Sequence, residues 1–147
     1  MQIKCKVNHQ EKIFETSPTT RVLDLLREDG LTSLKEGCGE GECGACSIFM
    51  DKKLVNSCLL IAAQIKGREI MTLEGLQEET KELRENYVKE GGIQCGFCTS
   101  GFIMRSLDYI QNGGKKNEKS VKEAFDGNLC RCGGYQKIVE ATIKSMK

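Results

Sequence analysis

The segment EGCGEGECGACS, residues 36–47, constrains the fold more than any other part of this 147-residue chain. It includes three cysteines and four glycines, so it offers almost no apolar side chain to a core. A glycine-rich backbone can curl tightly, and thiolates bind soft metals. The segment therefore predicts a loop that wraps around a metal centre and is supported by the rest of the chain.

The nine cysteines allow three kinds of chemistry, namely disulfides, zinc sites and iron–sulfur clusters. A secreted disulfide framework is disfavoured because the count is odd and the start, MQIKCKVNHQ, lacks the apolar core of a secretory signal. No apolar run approaches the roughly 20 residues of a membrane span. We therefore expect a cytoplasmic chain without membrane insertion, in which the cysteines bind metal.

The charge balance argues against one class of partner. Lys and Arg total 22 against 21 Asp and Glu, which gives a formal net charge of +1. Binding to nucleic acid or to an anionic membrane surface depends on an excess of basic residues. We expect no nucleic-acid partner.

The first cysteine group has the spacing of a plant-type 2Fe–2S ferredoxin. Cys38, Cys43 and Cys46 follow the C-x4-C-x2-C rhythm, and Cys58 comes after eleven further residues. A cluster with four thiolates is negatively charged, so its sulfurs need many backbone N–H donors at close range. The glycines that would let the backbone turn inward are Gly37, Gly39, Gly41 and Gly44. The spacing predicts one 2Fe–2S cluster on these four cysteines.

The second cysteine group consists of two close pairs, Cys95-x2-Cys98 and Cys130-x-Cys132. Zinc sites favour C-x2-C paired with another C-x2-C or with histidines, and the only histidine, His9, lies in a distant turn where we assign it no role. Each pair stands beside a predicted helix start, where N–H groups and the positive dipole end offset negative charge. The pattern favours a second iron–sulfur cluster and leaves zinc open.

The ninth cysteine, Cys5, belongs to neither group. It alternates with Ile3 and Val7 on the apolar face of a predicted first strand. A free cysteine in such a position behaves as a small hydrophobic residue. We expect Cys5 to be a buried structural thiol.

Hydrophobic periodicity divides the chain into two parts. A hairpin, one amphipathic helix from Thr20 and the short strands SIFM, KLVN and REIMT predict an α+β domain at 1–76. Four segments of helical periodicity, joined by cysteine-bearing turns, predict a helical domain at 77–147. The third of these helices is expected to begin at a capping box of Ser120 and Glu123, after an exposed loop at 112–119.

Three stretches together resemble one family. They are KEGCGEGECGACSI with Cys58, then IQCGFCTSGFIM, then EAFDGNLCRCGGYQKIV. Over nearly the whole chain they are similar to the small iron–sulfur subunit of the molybdenum hydroxylases, the family of xanthine dehydrogenase, aldehyde oxidoreductase and carbon monoxide dehydrogenase. The resemblance implies a β-grasp, ferredoxin-like domain and a four-helix domain, each with one 2Fe–2S cluster. Departures from the family pattern at Ser100 and Gly133 replace no ligand.

The resemblance also implies partners. Gln94, directly before CGFC, is implied to contact the pterin of a molybdenum cofactor held by a large molybdopterin-binding subunit. Electrons would pass singly through both clusters to a flavin (FAD) on a further subunit or to another acceptor. The chain would then be part of an oxidoreductase but carry no catalytic residue itself, because no residue here could bind molybdenum or flavin unaided. An independent two-cluster ferredoxin is the alternative function, and a zinc-bound interaction module is a third.

Overall fold

The computed structural model describes residues 1–147, and its N-terminal half is built on a mixed sheet of five short strands. The order across the sheet is β2-β1-β5-β3-β4, in which β1 and β5 are parallel and all other neighbours antiparallel. The strands are β1 (Gln2–Val7), β2 (Gln10–Glu15), β3 (Ser47–Met50), β4 (Lys53–Asn56) and β5 (Glu69–Met71). This sheet confirms the predicted hairpin and short strands.

Two-residue turns close both hairpins of the sheet. Asn8 and His9 join β1 to β2, and Asp51 and Lys52 join β3 to β4, all four with positive φ between 48° and 69°. Two successive residues of positive φ match the right-handed twist of the flanking strands. His9 lies in a turn, as the sequence predicts, and its side chain is exposed.

The first hydrophobic core lies between the sheet and helix α1 (Val22–Glu28). In β1 the burial alternates, so that Ile3, Cys5 and Val7 are at most 3% exposed while the lysines between them face solvent. From α1 the residues in this core are Val22, Leu23, Leu25 and Leu26. Cys5 is therefore a buried thiol of this core, as predicted.

The C-terminal half contains four helices, which confirms the predicted α+β class with a helical second part. They are α2 (Lys81–Lys89), α3 (Thr99–Gln111), α4 (Glu118–Ala124) and α5 (Tyr135–Lys144). Tyr87 is fully buried among them, and its hydroxyl lies 2.7 Å from Ser106 Oγ and 3.4 Å from Thr142 Oγ1. This network joins α2, α3 and α5. No helix is both long and apolar enough to cross a membrane.

Side chains of the sheet also reach the second core. Phe49 of β3 is buried with the residues of α3 and α5 rather than with the first core. The hydroxyl of Ser100, at the start of α3, donates to Ser33 O at 2.6 Å in the N-terminal half. The two halves are therefore packed together, and the boundary between residues 76 and 77 stays a prediction.

The start of α4 differs from the sequence prediction. The helix begins at Glu118, and its cap is Asn117, whose Oδ1 accepts from the N–H of Ser120 at 2.9 Å. The predicted capping box of Ser120 and Glu123 is wrong because asparagine is an equally good cap and Asn117 has the extended backbone that a cap needs. The exposed loop consequently ends before Glu118.

Candidate metal centres

The loop between α1 and β3 directs backbone N–H groups at the sulfur of Cys38. The N–H groups of Glu40, Glu42 and Cys43 donate to Cys38 Sγ at 3.3, 3.3 and 3.4 Å. Burial raises the pKa of Cys38, but these hydrogen bonds outweigh it and lower the pKa to about 7. Because the thiolate is the form that binds metal, the loop is arranged to hold a ligand.

The glycines of this loop serve two different purposes. Gly39, Gly41 and Gly44 have φ of 68°, 80° and 73°, a conformation that residues with a Cβ rarely adopt. Gly37 lies outside that region, but a Cβ there would be only 2.7 Å from Cys43 Sγ. Backbone conformation thus explains three of the glycines, and close approach to a sulfur explains the fourth.

Cys46 and Cys58 form the buried side of the first group. They are 3% and 6% exposed. The N–H and the hydroxyl of Ser57 both donate to Cys46 O, at 3.2 and 2.7 Å, which fastens the short 3₁₀ turn Ser57–Leu59 beside Cys46. Burial and the neighbouring Cys46 sulfur raise the pKa of Cys58 to about 11. The structure therefore brings the distant fourth cysteine to the loop.

The second group lies between the starts of two helices, as predicted. Cys98 is the residue before α3, and Cys130 and Cys132 lie just before α5. Burial and contact with Cys130 raise the pKa of Cys98 to about 12. Burial also raises the pKa of Cys130, but the N–H of Gly134, which donates to Cys130 Sγ at 3.4 Å, contributes to a net lowering. The four sulfurs of this group have unequal surroundings.

Each group contains two pairs of cysteines in which one thiol shifts the pKa of the other. No set of three or more His, Cys, Asp or Glu side chains is arranged to hold a single metal ion. Four thiolates in two pairs are the ligand set of a 2Fe–2S cluster, in which each iron takes two of them. The ligand sets therefore fit two such clusters. The pairs are Cys38 with Cys43, Cys46 with Cys58, Cys95 with Cys132 and Cys98 with Cys130.

Both groups contribute cysteines to the lining of one cleft. The cleft has a volume of about 590 Å³ and includes Cys38 and Cys43 from the first group. The N–H of Leu129 donates to Cys43 O at 3.0 Å, so one hydrogen bond joins the two cysteine-bearing segments. From the second group the cleft is lined by Cys95, Cys98 and Cys130.

Exposed apolar side chains surround the second group, and sequence reasoning missed them. Cys95 and Cys132 are themselves exposed. Apolar residues directly beside ligand cysteines were the available signal, because a core would have buried them. The exposed fractions are 38% for Ile93, 44% for Phe97, 51% for Leu129 and 40% for Tyr135. This edge of the molecule resembles a contact surface.

Gln94 lies at the same edge. Its side chain is exposed, and its Nε2 would be 3.6 Å from a Cβ placed on Gly134. Gly134 is in turn next to the sulfur of Cys130. Gln94 therefore borders the second group, and its contact with a pterin stays a prediction.

Two family models match the chain, one for each half. The 2Fe-2S iron-sulfur cluster binding domain matches residues 5–76, and the 2Fe-2S binding domain matches residues 72–143. Each matched range contains one of the two cysteine groups. The two halves thus belong to families of 2Fe–2S binding domains.

Curated relatives and solved structures are similar along nearly the whole chain. The nicotinate dehydrogenase small FeS subunit of Eubacterium barkeri is 42% identical, covering 92% of this chain and 88% of that protein. The xanthine dehydrogenase iron-sulfur-binding subunit of Escherichia coli O157:H7 is 41% identical, with coverages of 99% and 94%. A chain of quinoline 2-oxidoreductase from Pseudomonas putida 86 superimposes with a TM-score of 0.91 at 36% identity, covering 97% of this chain and 90% of that one. This chain belongs to the family of small iron–sulfur subunits of the molybdenum hydroxylases.

Proposed function

We propose that this chain binds two 2Fe–2S clusters and is the electron-transfer subunit of a multisubunit molybdenum hydroxylase. The observation that supports this most directly is the pair of four-cysteine groups, both of which contribute cysteines to one cleft. When bound, such clusters accept and release one electron at a time. The first ligand set is Cys38, Cys43, Cys46 and Cys58, and the second is Cys95, Cys98, Cys130 and Cys132.

The names of the relatives favour a subunit over an independent ferredoxin. They are described as a small FeS subunit, an iron-sulfur-binding subunit and a dehydrogenase complex subunit. Nicotinate, xanthine and nicotine occur in the names of relatives that are 42%, 41% and 41% identical. Relatives named after different compounds are almost equally identical to this chain. We therefore assign the choice of substrate to a partner subunit.

We assign the exposed edge of the second group to a large molybdopterin-binding subunit. A rim of exposed apolar residues around Cys95 and Cys132 would be covered there, and Gln94 would face the pterin. Electrons would enter at the second group and leave at the first. Leu59, which is 60% exposed directly beside Cys58, is available to an FAD-binding subunit or another acceptor. We also propose a reducing, cytoplasmic setting, in which cysteines serve as cluster ligands rather than forming disulfides.

Metal analysis of the purified protein tests the cluster assignment. We expect about four irons and four acid-labile sulfides per chain, because two sets of four thiolates hold two 2Fe–2S clusters. Electron paramagnetic resonance (EPR) of the reduced protein should show two distinguishable signals. Stoichiometric zinc, or half the iron with a single signal, would contradict the proposal. Purification without any large partner would contradict the subunit assignment and restore the ferredoxin alternative.

Substitution of Gln94 tests the order of the clusters. Gln94→Leu removes an amide that can both donate and accept, which should leave a buried partner group unpaired at a cost of about 1–3 kcal/mol. We expect slower electron transfer from molybdenum or weaker retention of its cofactor, with both iron–sulfur signals kept. The molybdenum(V) EPR signal should split with the second cluster. Gln111→Leu, at the far end of α3, is the matched control. Splitting with the first cluster instead would reverse the order.

A further inference from the structure

Asn128 is a buried amide without a hydrogen-bond partner. Its side chain is part of a residue that is only 3% exposed, and neither Nδ2 nor Oδ1 has a partner within the protein. Only Thr99 Oγ1 and Arg105 Nε are in the same situation, and Asn128 is the one residue in which both polar atoms are unpaired. A buried polar atom of this kind costs about 1–3 kcal/mol and is rare in folded proteins. The amide of Asn128 therefore calls for a partner outside the protein chain.

The position of Asn128 is fixed by the backbone on both sides. Its own N–H donates to Phe125 O at 2.9 Å, and the N–H of the next residue, Leu129, donates to Cys43 O at 3.0 Å. The segment that carries Cys130 is therefore held against the loop of the first group. Asn128 lies where the two groups meet.

The amide of Asn128 faces the loop at Gly44. A Cβ on Gly44 would lie 2.4 Å from Asn128 Nδ2 and 2.7 Å from Gly127 O, so a side chain there would displace them. Gly44 directly follows Cys43 and has a φ of 73°. Because residue 44 has no side chain, the amide of Asn128 can occupy this space. Gly44 itself lies between Cys43 and Cys46, two ligands of the first cluster, in the sequence.

We propose that Asn128 raises the redox potential of the first cluster by making its amide N–H available to that cluster's sulfur atoms. This inference rests on the proposed function. The negative charge on the sulfurs increases on reduction, so a hydrogen-bond donor stabilises the reduced form more than the oxidised one. A higher potential at the first cluster favours transfer of one electron from the second cluster to the first. Asn128 would thereby help to set the direction of electron flow.

Redox titration of the whole complex, monitored by EPR, tests this role. Asn128→Leu keeps the approximate shape without a donor, and Asn128→Asp keeps the shape, removes the donor and adds negative charge. In both variants we expect the ratio of reduced to oxidised first cluster, at a fixed solution potential, to fall about tenfold, which is 59 mV for one electron. The fall should be larger for Asn128→Asp. The potential of the second cluster should not change in Asn128→Leu, whereas the added charge of Asn128→Asp should lower the potentials of both clusters.

A matched control uses an amide that already has a partner. Asn86 Nδ2 donates to Ser145 Oγ at 2.9 Å in the helical half, and Asn86→Leu should leave both potentials unchanged. An unchanged first-cluster potential in both Asn128 variants, as expected if a water molecule satisfied the amide, would overturn the proposal. A shift at the second cluster alone would overturn it too. Should Asn128→Leu fail to retain its clusters, Asn128→Ala, which also lacks the donor and adds no charge, decides. Iron content and two EPR signals in the unsubstituted complex test the proposed function separately.

Discussion

The two cysteine groups each offer four thiols, but their structural surroundings differ. The first lies in a loop whose N–H groups make three hydrogen bonds to Cys38 and one, from Ala45, to Cys43, and two of its cysteines are buried by the fold itself. The second lies between two helix starts, and Cys95 and Cys132 remain exposed. The chain thus encloses the first group more fully than the second.

The two groups should also differ in redox potential, because they differ in the number of N–H groups that donate to sulfur. In the second group, two backbone N–H groups donate to sulfur, those of Phe97 and Gly134. Donors to sulfur stabilise the reduced form and raise the potential. The first group, with more such donors, should therefore have the higher potential. This is the direction required for electrons that enter at the second group.

The largest effects are expected from removing one cysteine ligand from either group. Cys43→Ser replaces a soft thiolate by a poor ligand, so we expect loss of the first EPR signal and about half of the iron, with the second signal kept. Cys98→Ser should do the reverse. Turnover with the native acceptor should fall close to background in both.

The control for these variants is the cysteine outside both groups. Cys5→Ala removes a buried thiol of the first core and should lower the stability of the fold while both signals remain. Retention of native turnover in Cys43→Ser would contradict a path through both clusters.

Chelation should distinguish the groups by exposure. In the isolated subunit, a chelator reaches the exposed Cys95 and Cys132 more readily than Cys46 and Cys58, which are 3% and 6% exposed. We expect the second EPR signal to disappear several times faster than the first, because access limits ligand exchange. In the assembled complex the two rates should converge. Faster loss of the first signal in the isolated subunit would contradict the idea that the second group is the more accessible one.

Gly37→Ala should affect the first group alone. The new Cβ would lie 2.7 Å from Cys43 Sγ, and overpacking of this kind costs about 1–3 kcal/mol. We expect a changed first EPR signal and faster loss of that cluster, with an unaltered second signal. Gly67→Ala is the control, because Gly67 has a φ of 73° and open space around it. It should lower stability without changing either signal.

The sequence predicted which cysteines come together better than it predicted their surroundings. Spacing and helix starts identified both cysteine groups because local backbone geometry fixes which ligands one loop can present. The cleft and the hydrogen bond from Leu129 to Cys43 O depend on the packing of distant segments, which periodicity does not describe. The burial of Asn128 could not be predicted for the same reason. An asparagine beside a cysteine has no distinguishing pattern until its burial is known.

The smallest predicted effect concerns the cap of α4. Asn117→Ala removes the acceptor for the N–H of Ser120, and loss of such a cap costs about 1 kcal/mol. The helical half should unfold at a lower temperature, measured by circular dichroism, because α4 packs against α5 and Val121 is fully buried in the second core. Ser120→Ala should have almost no effect, since the capping box is not formed. Both EPR signals and potentials should be unchanged, because the cap holds a helix and touches neither cysteine group. If Ser120→Ala were instead the more damaging substitution, the helix would begin where the sequence pattern placed it.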